Sequence, residues 1–189
     1  MNMKQPSDRL DPRAKRTRTL LQQALGELLT ERSLASVTIA DITRRATVNR
    51  ATFYAHFRDK DDLLEHCLRE KCRVVLSTAL PQPQHQTPEA WRRLIKDVLD
   101  FFARMPHQCP QAARQWNGIV TNAMREELDI LLEEWLREAR PARAARQTVV
   151  AAVSGAIVTT GMQWLRGKAA ITTEEGAADL TAFIIGGMH

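Results

Sequence analysis

The side chains with the clearest chemical potential lie close together, between residues 50 and 56. Some of them can hydrogen-bond to phosphate oxygens or to base edges, and the two alanines among them let a helix backbone approach closely. The set consists of Arg50, Ala51, Thr52, Tyr54, Ala55 and His56. The pattern predicts a helix face that fits the major groove of DNA. A buried helical hairpin whose polar residues are merely solvated is the alternative interpretation.

Two short helices joined by a tight turn are predicted to position these side chains. Thr38 and Asp41 have the spacing of a capping box, which starts the first helix. Asn49 is a good N-cap for the second helix, because its side-chain oxygen can accept from a free backbone N–H. Phe53 and Phe57 are four residues apart, so both rings point to the same side and pack on the preceding helix. The arrangement is a helix-turn-helix with its second helix presented outward.

The stretch from Arg13 to about Val75 resembles the DNA-binding domain of the TetR family of bacterial transcriptional repressors. The residues that carry the resemblance are Leu20, Leu21, Ala24, Leu25, Leu28, Leu29, Val37, Thr38, Ile39, Ile42, Ala46, Val48, Asn49, Arg50, Ala51, Thr52, Phe53, Tyr54, His56, Phe57, Asp59, Lys60, Leu63 and Leu64. The chain departs from the family pattern at Thr47, in the turn, and at Arg32-Ser33, after the first helix; Gly is usual at both places. A β-branched residue such as Thr47 is ill suited to a positive φ.

The resemblance implies an all-α fold of about nine helices, and the scarcity of alternating β-type runs points to the same class. It implies a three-helix DNA-binding domain over 13–75, with the helix-turn-helix at about 38–57. A ligand-binding and dimerisation domain would then follow over 81–189. The predicted DNA contacts are Thr38, Arg50, Ala51, Thr52, Tyr54, His56 and Lys60. Lys60 matches a phosphate contact of the family, at the start of a helix whose tilt transmits the signal.

Net charge is unevenly distributed along the chain. Residues 1–75 contain 15 Lys and Arg against 10 Asp and Glu, whereas residues 76–189 contain 12 of each. The whole net charge of +5 therefore lies on the segment with the helix-turn-helix, as expected of a phosphate-binding domain. The first helix begins with Arg13, Lys15, Arg16 and Arg18. Basic residues at this end oppose the helix dipole, which indicates an anionic partner; solvated charges are the alternative.

No catalytic, metal or cofactor site is predicted. The chain has no Ser/Cys/His constellation, no Gly-rich phosphate loop and no zinc-type cysteine spacing, so a helical enzyme is a poorly supported alternative. Cys67, Cys72 and Cys109 are predicted to be reduced, and His107 with Cys109 lacks further ligands for a metal. The polar, basic N-terminus has no apolar signal segment, which predicts a cytoplasmic protein.

The C-terminal half contains a long apolar helix, predicted from Gln147 to Leu165 without a charged residue. Its small and hydroxyl-bearing residues argue against a membrane span, and a helix that is apolar nearly all round is expected to be buried on all sides. Gly167 is predicted to end it, and Thr172 with Glu175 to cap the last helix. In the TetR family the final two helices of each subunit form a four-helix dimer interface. The predicted homodimer contacts are Ala152, Gly155, Trp164, Leu180, Phe183 and Ile184.

Prolines and one glycine predict where the other helices of this half begin and end. Thr87-Pro88 is predicted to start one helix and Met105-Pro106 to end it. Asn117-Gly118 is predicted to divide the next apolar stripe in two, and Pro141 to open the apolar helix.

The expected function is sequence-specific DNA binding that regulates transcription. The four tryptophans lie outside the DNA-binding segment, in the half where the family keeps its effector pocket. A pocket is predicted from Phe101, Phe102, His107, Trp116, Ile119 and Met124. We expect a repressor that a small lipophilic effector releases from a palindromic operator. The alternative is a DNA-binding regulator whose C-terminal domain binds a protein partner instead.

Overall fold

A computed structural model describes residues 12–79, 87–108, 116–137 and 143–188. Over these ranges the chain forms eight α-helices, a 3₁₀ turn at Leu34–Ser36 and no strand. The helices are α1 (Pro12–Glu31), α2 (Ile39–Ala46), α3 (Arg50–Tyr54), α4 (Lys60–Ala79), α5 (Pro88–Gln108), α6 (Asn117–Trp135), α7 (Arg143–Leu165) and α8 (Thr173–Met188). The all-α prediction is confirmed, and the predicted count of about nine is close.

The chain divides into two compact units between Cys67 and Leu68, inside α4. In the first unit α1 packs on α2, and α2 packs on α3. In the second unit α5 packs against α7 and α8, and α6 packs against α7. The predicted functional domains, 13–75 and 81–189, place their boundary near the C-terminal end of α4, and that division stays a prediction.

The core of the first unit contains the aromatic pair of the helix-turn-helix. Phe53 and Phe57 are fully or almost fully buried, with ring centroids 5.9 Å apart. Leu21 and Leu25 of α1 and Ile42 of α2 are buried as well. Both rings point into the core as predicted, but the predicted helix is shorter: α3 ends at Tyr54, and Phe57 follows it.

Local signals at the helix ends agree with several predictions. The backbone N–H of Ala90 donates to the Thr87 hydroxyl over 3.2 Å at the start of α5. Gly167 follows α7 with a φ of +64°. Thr172 and Glu175 form the predicted reciprocal cap of α8: the Thr172 backbone N–H donates to Glu175 Oε2 (2.8 Å), and the Glu175 N–H donates to Thr172 Oγ1 (3.2 Å).

One helix prediction needs correction. α5 runs on to Gln108 instead of ending at Met105-Pro106. A proline removes only its own N–H from the helical ladder, so the turn after it can still bond to carbonyls four residues back. α7 is described from Arg143; the prediction that Pro141 opens it falls outside the described ranges, as do Cys109 and residues 111–115.

The prediction that the apolar helix is buried on all sides is wrong for the single chain. Val153, Ile157 and Val158 of α7 are buried, but Ala151 and Ala152 are exposed. By length and composition, the segment Ala145–Leu165 is apolar enough to cross a membrane. Of its most apolar window, 39% is buried within the single chain, so most of this apolar surface is not covered by the chain itself. The helix contacts α5 and α6, which cover part of its circumference and leave a strip of small residues uncovered.

Candidate nucleic-acid interface

A complete capping box starts α2. The Thr38 backbone N–H donates to Asp41 Oδ2 (3.0 Å), and the Asp41 N–H donates back to Thr38 Oγ1 (3.2 Å). The bond from the Thr38 hydroxyl (2.7 Å), with that from its N–H, lowers the pKa of Asp41 to about 2. The carboxylate therefore keeps the cap at any pH well above 2, and the cap weakens only as the pH falls towards that value.

The turn between α2 and α3 takes a left-handed conformation at Thr47, with φ 56° and ψ 42°. The Thr47 N–H donates to Arg44 O (3.2 Å), and the Val48 N–H donates to Thr43 O (3.0 Å). These are the two bonds of a Schellman motif, whose left-handed position is usually glycine. The structure thus builds the family-type turn with a β-branched residue, at a cost in backbone strain.

Replacing Thr47 by glycine is expected to stabilise the first unit by about 1 kcal/mol, because relief of the left-handed strain exceeds the greater flexibility of glycine in the unfolded chain. Thermal unfolding measures the effect. Thr30→Gly is the control, since Thr30 is an exposed residue within α1 and the change there should lower stability. A lower melting temperature for Thr47→Gly would show that the turn is not strained.

The short helix α3 is held at its N-terminus by Asn49. Asn49 Oδ1 accepts from the Thr52 backbone N–H (2.7 Å) and from the Thr52 hydroxyl (2.9 Å). Regular helix ends at Tyr54, but the N–H of Phe57 still donates to Phe53 O over 2.9 Å. The Thr52 hydroxyl is therefore engaged with the cap, and its methyl group is the part left for other contacts.

The outward face of α3 carries an arginine that stacks on a tyrosine. Arg50 lies 5.6 Å from the centre of the Tyr54 ring and donates from Nη2 to the Tyr54 hydroxyl over 3.2 Å. Both side chains are exposed, and so are Ala51 and Ala55, while His56 is half-buried. The stacking limits the freedom of a long side chain, so the guanidinium edge is pre-ordered for a planar acceptor such as guanine or phosphate.

Lys60 lies where the sequence predicts a phosphate contact, but its ammonium is engaged within the chain. Nζ is 2.8 Å from Leu34 O, 3.0 Å from Val37 O and 3.4 Å from Ala35 O. Leu34 and Ala35 belong to the 3₁₀ turn that precedes α2, and Val37 directly follows that turn. Nothing in the residue spacing signalled this contact, because the partners are 23 to 26 residues away.

Two further arginines tie α1 to other parts of this unit; the sequence singled out Arg18 as part of a basic cluster, but not Arg45. Arg45 of α2 pairs with Glu31 of α1 (2.9 Å) and with Glu27 (3.2 Å). Arg18 lies 5.4 Å above the Phe57 ring, which places the basic start of α1 beside the C-terminal end of α3. Among the basic residues at that end, Lys15 and Arg16 are exposed. The first unit thus brings exposed cations of α1 near the helix-turn-helix.

The predicted pocket residues lie in the second unit with different burial. Phe102, Met124 and Trp116 are buried, whereas Phe101 and Ile119 are half-buried. The Phe102 ring packs against Gly161 of α7. The His107 side chain lies outside the described part of the chain.

The predicted dimer residues also differ in how far they are buried within the single chain. Ile184 is buried, and Trp164 packs against Gly176 of α8, so both contribute to the chain's own packing. Gly155 and Leu180 are half-buried. Ala152 is exposed, and Phe183 is 73% exposed, more than any other large apolar side chain among those described.

Comparison with known proteins relates the helix-turn-helix segment to a family of bacterial regulators. Residues 21–67 match the family model described as bacterial regulatory proteins, tetR family. A stretch of 100 residues is 32% identical to an uncharacterised HTH-type transcriptional regulator, YxbF of Bacillus subtilis (strain 168), and spans 51% of this chain and 26% of that relative.

Solved structures share the fold over nearly the whole chain. A TetR-family regulator from Streptomyces coelicolor superposes with a TM-score of 0.62 at 19% identity, covering 91% of this chain and 80% of that one. FadR from Bacillus subtilis, in complex with stearoyl-CoA, gives 0.55 at 16% identity, covering 90% and 99%.

Proposed function

We propose that this chain, whose residues 21–67 match the family model of tetR-type bacterial regulatory proteins, is a TetR-family repressor that binds a palindromic operator and leaves it when a small lipophilic molecule binds. The family contains transcriptional regulators rather than enzymes, and its helix-turn-helix binds DNA. The observation that carries the proposal is the outward face of α3. It combines the Arg50–Tyr54 stack with exposed Ala51 and Ala55, within the segment 1–75 that holds the excess positive charge.

Gel-shift selection from a randomised DNA pool tests the DNA-binding part. The expected result is an enriched palindrome with half-sites about one helical turn apart, bound more weakly as salt rises. Arg50→Ala is expected to cost about 1–3 kcal/mol and to relax the preference at one base position of each half-site.

Arg166→Ala is the matched control for this experiment, because Arg166 is an exposed arginine just after α7 and should leave affinity and preference unchanged. If no sequence is enriched over the starting pool, the repressor proposal is wrong.

Two-fold pairing through α7 and α8 is the proposed assembly. The uncovered strip of α7 around Ala151 and Ala152, together with Phe183 on α8, is an apolar surface of the kind that soluble proteins cover. A two-fold dimer also matches the two half-sites of a palindrome. Light scattering that gives a monomer at micromolar concentration would contradict this. A soluble regulator of this family acts in the cytoplasm, where we place the protein.

Effector binding is proposed for the second unit, at the start of α6. The buried Trp116 Nε1 and the buried Asn117 Oδ1 have no hydrogen-bond partner among the described residues. Buried polar atoms are nearly always paired, so a donor and an acceptor from adjacent residues suit the polar end of a ligand whose remainder is apolar. The stearoyl-CoA complex of Bacillus subtilis FadR supports a lipophilic class of effector.

The same gel shift, repeated with lipophilic compounds that change tryptophan fluorescence, tests release. Compounds of the expected class bind and free the operator, and their effect cannot exceed their differential affinity for the two states of the protein. Compounds that bind without changing DNA affinity would instead favour a C-terminal domain that receives a protein partner.

A further inference from the structure

The ammonium group of Lys60 occupies a cage of backbone carbonyls. An ammonium has three N–H donors, and three carbonyl oxygens lie 2.8, 3.0 and 3.4 Å from Nζ. They belong to Leu34, Val37 and Ala35. Leu34 O also accepts from the Val37 backbone N–H over 3.1 Å, and a carbonyl oxygen has two lone pairs, so it can accept from the lysine as well.

The cage lies directly before the N-terminus of α2. Val37, whose carbonyl accepts from Lys60, is fully buried and immediately precedes Thr38, the N-cap residue. The backbone of Thr38 is in turn bonded to Asp41, which also pairs with Arg32 over 3.2 Å. The first residue of α4 is thereby connected through one carbonyl to the exposed end of α2.

We propose that Lys60 is a positioning residue, which sets the N-terminus of α2 against α4, and not a phosphate contact as the family resemblance implies. The ammonium directs its donors at the protein, so few remain for an oxygen of DNA. Lys60 acts on the interface through Thr38, whose exposed side chain it holds in place. This inference rests on the DNA-binding function proposed above, but one arm of its test needs no DNA.

Hydrogen exchange in the free protein forms the first arm. Lys60→Met keeps the length of the side chain and removes all donors, so the cap should open more often and the Asp41 amide should exchange about tenfold faster. Lys71→Met is the control, since Lys71 is an exposed lysine of the same helix and should leave the Asp41 amide unchanged. Unchanged exchange in Lys60→Met, with the fold intact by circular dichroism, would overturn the inference.

The salt dependence of operator binding forms the second arm. Loss of one phosphate contact in each subunit of the dimer makes the slope of log K against log salt shallower by about 1.8, whereas loss of a positioning contact weakens binding several-fold and leaves the slope unchanged. Lys60→Arg sharpens the distinction, because a guanidinium binds phosphate at least as well as an ammonium but does not fit a cage for a compact charge.

The expected result is weaker binding with an unchanged slope for both variants. Full affinity in Lys60→Arg, or a shallower slope in Lys60→Met, would overturn the inference. If the wild type binds no operator, the proposed function fails while the exchange result still decides the role of Lys60 in the fold.

Discussion

Replacing Gly161 by alanine is expected to destabilise the second unit by about 2–3 kcal/mol, in the range measured for overpacked cores. A Cβ at this position would lie 2.3 Å from Phe102 Cδ2 and 2.8 Å from Phe102 Cε2. Phe102 is fully buried in α5, so its ring has no free space into which to rotate. Either α7 moves away from α5 or the ring leaves its position, and both changes lose packing.

Gly26→Ala is the matched control for this prediction. Gly26 is exposed within α1, and nothing lies within 4 Å of the position that a Cβ would take. The substitution there should stabilise the protein by about 1 kcal/mol, because alanine is the better helix former. Chemical denaturation followed by circular dichroism measures both changes. Equal, favourable effects at the two glycines would show that α5 and α7 are not in close contact at Gly161.

Replacing Arg73 by methionine should cost about 2 kcal/mol, because it leaves a buried carboxylate unpaired. Glu127 of α6 is only 5% exposed, and it accepts from Arg73 Nε (3.0 Å) and Nη2 (2.8 Å). Breaking a fully buried pair costs about 3–5 kcal/mol; the value expected here is smaller, since the arginine side chain is 57% exposed. The charge of Glu127 also contributes, after burial, to raising the pKa of the neighbouring Cys72 thiol to about 12.

Two comparisons define the outcome for Arg73. Arg92→Met removes a pair with Glu174 in which both side chains are about half exposed, and should cost less than about 1 kcal/mol. The double variant Arg73→Met with Glu127→Leu should be more stable than Arg73→Met alone, because no buried charge remains. If Arg73→Met costs no more than Arg92→Met, the pair does not hold α4 to α6.

Helix starts and inward faces could be predicted from the sequence because they depend on residues within one or two turns. Thr38 and Asp41 bond across three residues, as do Thr172 and Glu175, so their types and spacing suffice to place the caps. Phe53 and Phe57 point to the same side for the same reason, since one i, i+4 backbone bond joins them past the end of α3. The resemblance of the segment that contains them to the TetR family is confirmed by the family match at residues 21–67.

Contacts between distant parts of the chain were decided only by the tertiary structure. Gly161 lies within the predicted apolar helix, but no local pattern showed that Phe102 fills the space beside it. The same holds for Arg73 and Glu127, 54 residues apart, and for Lys60, whose cage of carbonyls carries no sequence signal at all. Backbone carbonyls are present at every residue, so only the packing of the 3₁₀ turn against α4 selects the ones that a lysine can reach.

The uncovered strip of α7 was likewise decided only by the tertiary structure. Composition predicted a helix buried on all sides, because an apolar surface must be removed from water. Composition cannot say what covers it. In the single chain α5 and α6 reach part of the helix and leave Ala151 and Ala152 exposed, since a helix has room for only a few neighbours and their positions follow from the path of the whole chain.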